Sequence, residues 1–130
     1  MSLDAAAKKT WADIKFFKPS EFASPDAPDS GYRMDMDLIV MLDELRRRCG
    51  FPLKINSGWR TPDHNIKVGG KPSSEHLLGR GVDIAANNSH TRFVIKREAF
   101  AMGFKRIGHG KTFIHLGIDP TLPQEVEWEY

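Results

Sequence analysis

The sequence predicts an α+β fold, a small antiparallel sheet flanked by helices, and three observations carry that reading. One segment repeats apolar residues at helical spacing, three short segments alternate with period two, and glycine or proline punctuates the joins. At 130 residues the chain reads as a single domain, able to bury roughly two thirds of its unfolded surface. With 40% hydrophobic and 28% charged residues, its composition is that of a folded globular protein and excludes a disordered one.

In chain order, residues 1–16 read as an N-terminal extension. Residues 23–31, Ala23-Ser24-Pro25-Asp26-Ala27-Pro28-Asp29-Ser30-Gly31, read as an exposed loop because Pro, Asp and Ser dominate them. Leu38, Met41, Leu42, Leu45 and Cys49 then recur at helical spacing, with Asp35 as N-terminal cap and Gly50 as the stop. Leu53 and Ile55 alternate with Lys54 and Asn56, and Val82 and Ile84 flank Asp83, each pattern predicting a strand. A second helix is predicted from Ser89 or Thr91 to Met102, ended by Gly103. Finally, Ile114, Leu116 and Ile118 alternate with Phe113, His115 and Gly117. Successive strand side chains point to opposite faces, so if the aliphatic residues face the core, Asp83 and His115 share the other surface.

Several function classes are excluded. Nineteen Lys and Arg against seventeen Asp and Glu give a net charge of +2. That is too even for a nucleic-acid surface, and the one basic run, Arg46-Arg47-Arg48, suits the end of a helix dipole. The longest apolar run, Leu38–Leu42, falls far short of the ~20 residues that span a bilayer, so no membrane insertion is expected. The single cysteine, Cys49, cannot form an intramolecular disulfide and reads as core packing. The sequence leaves the oligomeric state open.

Among five histidines, the informative one lies in Ser73-Ser74-Glu75-His76-Leu77-Leu78-Gly79-Arg80-Gly81-Val82-Asp83. The two glycines permit a tight path that returns His76 beside Asp83. With His115 the set becomes two imidazoles and a carboxylate, a donor set suited to zinc with a fourth position open. On spacing alone the same residues also suit a polar-loop histidine, a turn aspartate and a hydrogen-bonded strand histidine.

The wider pattern adds Ile55-Asn56-Ser57-Gly58-Trp59-Arg60, Asn65, Val68-Gly69-Gly70, Gly103-Phe104, Ile107-Gly108 and Phe113-Ile114-His115, all in order. This succession, from about Phe17 to Asp119, resembles the zinc D-alanyl-D-alanine carboxypeptidase family, in its small single-domain branch of bacterial and phage peptidoglycan peptidases. The resemblance implies a fold shared with hedgehog-type and lysostaphin-type domains and zinc bound by His76, Asp83 and His115. It further implies an activity on stem or cross-bridge peptides of peptidoglycan, as carboxypeptidase or endopeptidase, with an endolysin-like role. Arg60 matches the arginine that holds the substrate carbonyl or developing oxyanion. Ser74 would brace the ligand loop and Trp59 would wall the site, although both also suit ordinary packing or loop hydrogen bonding.

The general base departs from the pattern. Related branches place Glu three residues before the last ligand or His two before it, but here Thr112 and Phe113 stand there. Many small-branch sequences read His-x-Asp from that ligand, whereas this chain has Gly117 at the last position. His109, Asp119 and Glu75 are the remaining candidates, His109 ranked first. The opening residues Met1-Ser2-Leu3-Asp4-Ala5-Ala6-Ala7-Lys8-Lys9 carry acid and base where an export signal would be apolar. Synthesis in the cytoplasm and a non-Sec or phage-mediated route to the wall are therefore expected. A catalytically silent zinc or wall-recognition module, or a phage structural component, is the alternative.

Overall fold

Asp35 opens the first helix by accepting a hydrogen bond from the Asp37 amide at 2.9 Å, and Gly50 closes it in the left-handed region at φ 74°. Between them α1 runs Met36–Cys49. The structure, a computed structural model, describes residues 8–130. Thr61 caps α2 (Pro62–Lys67), whose proline occupies the first turn where its missing N–H costs nothing. Asn88 caps α3 (Ser89–Ala101) by accepting from the Thr91 amide at 2.8 Å, which places His90 inside the first turn.

The strands are β1 (Ile55–Ser57), β2 (Gly81–Ala85), β3 (Arg106–His109), β4 (Phe113–Gly117) and β5 (Val126–Glu129), in the sheet order β1-β2-β4-β3-β5. The fold is α+β, as the patterning indicates. The sheet is mixed, because β5 runs parallel to β3 while every other pairing is antiparallel. Val82, Ile84, Ile107, Ile114 and Leu116 share one core with Leu38, Ile39, Leu42 and Leu45 of α1 and Ile95 and Ala99 of α3. Cys49 packs at the margin of this core.

Two segments are more ordered than their composition suggests. Residues 1–7 of the N-terminal extension lie outside the described residues. The rest of it is docked: Trp11 packs on Phe22 at 5.8 Å, and the Lys15 and Phe16 amides donate to the Asp43 carboxylate of α1 at 3.0 and 2.8 Å. In the 23–31 segment Pro25, Asp26, Pro28 and Asp29 are exposed, but Ser24 and Ser30 are buried, joined by a 2.8 Å hydrogen bond from the Ser24 amide to Ser30 Oγ. It is a pinned turn with an exposed tip. Among the described residues no helix is long and apolar enough to cross a membrane.

Candidate metal centre

Asp83 of β2 and His115 of β4 are direct cross-strand partners, flanked by the core pairs Val82↔Leu116 and Ile84↔Ile114. Alternation therefore sends both to the face away from the aliphatic core. His76 reaches them from a 3-10 helix, Glu75–Leu78, that precedes β2. Ser74 caps this turn, its hydroxyl accepting from the His76 amide at 3.3 Å. Gly79 ends it at φ 68°, where a side chain would also meet Met34 Cα at 2.7 Å. The ligand-capable atoms of His76, Asp83 and His115 all lie within 4.8 Å of one another, and all three residues are buried.

Each imidazole is oriented from behind. His76 Nδ1 donates to the Gly58 carbonyl at 2.7 Å, which leaves Nε2 facing Asp83 Oδ1 at 3.3 Å. His115 bonds the Glu75 carboxylate through Nε2 at 2.6 Å, which leaves Nδ1 facing the same Asp83 oxygen at 2.8 Å. Burial pushes the Asp83 carboxyl upward, but its hydrogen bonds to His115 and His76 and their charges prevail, holding it well below the usual carboxylate range. Burial likewise opposes a charge on His115, yet Asp83 and Glu75 on either side raise its pKa. Two nitrogens and an oxygen converging, with both outer ring nitrogens engaged, is the donor set and outer support of a zinc site with an open position. The residues present fit that ion.

Arg60 borders the cluster. Its amide donates to the His76 carbonyl at 3.1 Å, and its guanidinium reaches Asp83 Oδ2 at 3.4 Å, Ser57 Oγ at 3.1 Å and Asn65 Oδ1 at 3.2 Å. Burial lowers its pKa and Asp83 partly offsets this, so a fixed cation stands beside the ligands.

The family model for Peptidase M15 matches residues 16–117, which hold the whole cluster and Arg60. The chain belongs to the peptidase M15 family. M15 peptidases are zinc-dependent hydrolases, in agreement with the donor set. No curated protein matches the chain.

In this M15 peptidase the remaining residues singled out from sequence fall in different places. Trp59 packs against the core, donates its indole N–H to the Leu77 carbonyl at 3.0 Å and lies under the Arg33 guanidinium. It fastens the turn that carries His76. His109 does not join the cluster: it follows Ile107 by two residues on β3, shares that residue's face, and has its Nε2 2.9 Å from the Glu127 carboxylate. Asp119 is 2% exposed, and its Oδ1 accepts from the Thr121 amide and hydroxyl at 2.9 and 2.8 Å. Glu75 is directed inward behind His115 and is equally buried.

Four residues that sequence reasoning left without a role border the site. Asn65, 3% exposed, holds Arg60 and donates to the Lys71 carbonyl at 2.9 Å. Gly70 is glycine because a side chain there would run into the Asn65 amide. Trp128 sets its ring 5.5 Å from that of His115 and against Gly108, and Tyr130 lies 5.1 Å from Phe113. Burial and then the Asp83 charge push the Tyr130 phenol pKa up, as befits an aromatic wall beside the cluster. The alternation Val126-Glu127-Trp128-Glu129-Tyr130 was its available signal.

Proposed function

We propose that this M15 peptidase hydrolyses amide bonds in the stem or cross-bridge peptides of bacterial peptidoglycan, in an endolysin-like role at the cell wall. The observation that carries the reading is the buried His76, Asp83 and His115 cluster with the Arg60 guanidinium fixed 3.4 Å from Asp83. Zinc, when bound, supplies Lewis-acid polarisation of the scissile carbonyl. The chain's own contribution is positional and electrostatic. Gly58 and Glu75 hold the two imidazoles, and Ser57 and Asn65 hold Arg60 so that its charge meets an oxyanion without reorganisation. Phe113, Trp128 and Tyr130 offer an apolar wall against which a peptide side chain can lie.

One observation favours a second reading, a zinc-holding wall-recognition module without turnover. Glu75 is buried with both oxygens engaged, Asp119 is buried with Oδ1 held by Thr121, and His109 sits across the sheet, so the cluster lacks an exposed carboxylate or imidazole among the three candidates to accept a proton. Digestion of purified muropeptides followed by mass spectrometry decides. Release of D-alanine or of split cross-links supports the peptidase and distinguishes carboxypeptidase from endopeptidase action. Binding of muropeptides by zinc-loaded protein with no fragment released overturns it in favour of the module.

A further inference from the structure

Gly81 and Gly117 are cross-strand partners in β2 and β4, one step along the same face from Asp83 and His115. Two facing residues without side chains leave a notch in the sheet beside the ligands, and the carboxylate of Glu75 fills it. A Cβ at position 117 would land on that carboxylate, and one at position 81 would meet Glu75 Cγ at 2.6 Å and His115 Cε1 at 2.8 Å. Neither strand position tolerates a side chain while Glu75 is in place.

Inside the notch Glu75 is 2% exposed. Its oxygens accept from His115 Nε2 at 2.6 Å, from Arg106 Nε at 3.1 and 3.2 Å and from the Asp119 amide at 3.1 Å. Arg106 is itself clamped, donating to the Pro123 carbonyl at 2.6 Å and lying 4.9 Å from the Trp128 ring. A buried carboxylate is tolerated only where such donors saturate it. With both oxygens committed, Glu75 is poorly placed to take a proton from water. What it does hold is the ring of His115, on the side opposite Asp83.

We propose that Glu75 is a positioning residue that sets the rotation and tautomer of His115, so that Nδ1 and not Nε2 is presented to the metal, with Gly81 and Gly117 as the space it requires. The inference rests on the metal-centre reading. One 3-10 turn then supplies both a ligand, His76, and the brace of another, at adjacent positions. Carboxylate support of a metal-bound imidazole raises ligand basicity and fixes its orientation, and losing such support typically costs about 10 to 100-fold in metal affinity.

The test uses zinc and cobalt alone, without substrate. Zinc affinity is measured by chelator competition, the visible spectrum of the Co2+ form reports ligand geometry, and circular dichroism checks the fold. Glu75→Gln should weaken zinc by about 10 to 100-fold and alter the cobalt bands. Glu75→Ala should do the same, and Glu75→Ala/Gly117→Asp, which returns a carboxylate to the notch from β4, should recover most of the loss. A folded Glu75→Gln protein with zinc affinity within about twofold of the parent and an unchanged cobalt spectrum overturns the proposal. Should that variant not fold, Glu75→Gln/Arg106→Gln, which removes both charges together, is measured in the same way, and the same two results support or overturn the proposal. A parent chain that binds zinc but cleaves no muropeptide leaves this inference standing while the peptidase reading falls.

Discussion

Val82, Ile84, Ile114 and Leu116 point from β2 and β4 into an aliphatic core, whereas Gly81, Asp83, His115 and Gly117 alternate with them on the other face. The two faces share a backbone and differ in what holds them. On the core face the stabilisation is non-directional and follows buried apolar area, so shape and volume matter and individual partners matter little. On the other face Glu75, Arg106, Asp83 and the two imidazoles are each satisfied by particular atoms at particular distances, and removing one leaves the next unpaired. The core face should answer mutation in stability and the polar face in metal and rate.

The largest expected effect is on the polar face. Asp83→Ala removes the carboxylate on which both imidazoles converge, so zinc affinity should fall by more than the ~100-fold that loss of an outer partner costs. Hydrolysis should vanish with it, while the apo protein still melts cooperatively. Stoichiometric zinc in the purified variant would break the division between faces. Next, Leu116→Ala, one residue from a ligand but facing the core, should cost about 2–5 kcal/mol in urea denaturation yet retain one zinc per folded chain. Loss of zinc with stability intact would mean that the two faces are not separable.

Arg60→Lys sharpens the comparison within the polar face. It keeps the charge but loses the planar fork, so kcat/KM should drop by roughly 10 to 1,000-fold with zinc content unchanged. An unchanged rate would remove Arg60 from the chemistry. The smallest effect belongs to Asn65→Ala, which frees one arm of the Arg60 guanidinium. Steady-state kinetics should show a loss of about 10-fold, the worth of one hydrogen bond to a charged group. Added to Arg60→Lys the same change should cost little more, since both act through one side chain.

Much of this was legible in the order of residues. Period-two alternation in Val82-Asp83-Ile84 and Ile114-His115-Leu116 placed the ligands on the face away from the core, and Asp35 and Gly50 marked the ends of α1. Ranking His109 first as general base does not carry the same rule to Ile107 and His109: alternation puts the histidine on the core side of β3, where the structure has it. The setting of Glu75 was illegible for a different reason. A buried carboxylate depends on Arg106, the Asp119 amide and two glycines from separate strands, and no local pattern announces a partnership assembled from four segments. The parallel pairing of β5 with β3 was hidden likewise, because a short strand rich in glutamate is chosen by a non-local neighbour more than by its own propensity.

That added strand has a consequence for the behaviour of the molecule in concentrated solution. Without β5, β3 would expose a row of unpaired amides and carbonyls along an open sheet border, a template for pairing with another chain. Val126–Glu129 covers it with a strand of only four residues, in which Glu127 is tied to Lys96 of α3 at 3.3 Å and Glu129 is exposed. At the opposite border β1 is three residues long and its pairing with β2 is interrupted by a register shift. Both margins of the sheet are therefore short, and each offers few backbone groups to a strand of another chain.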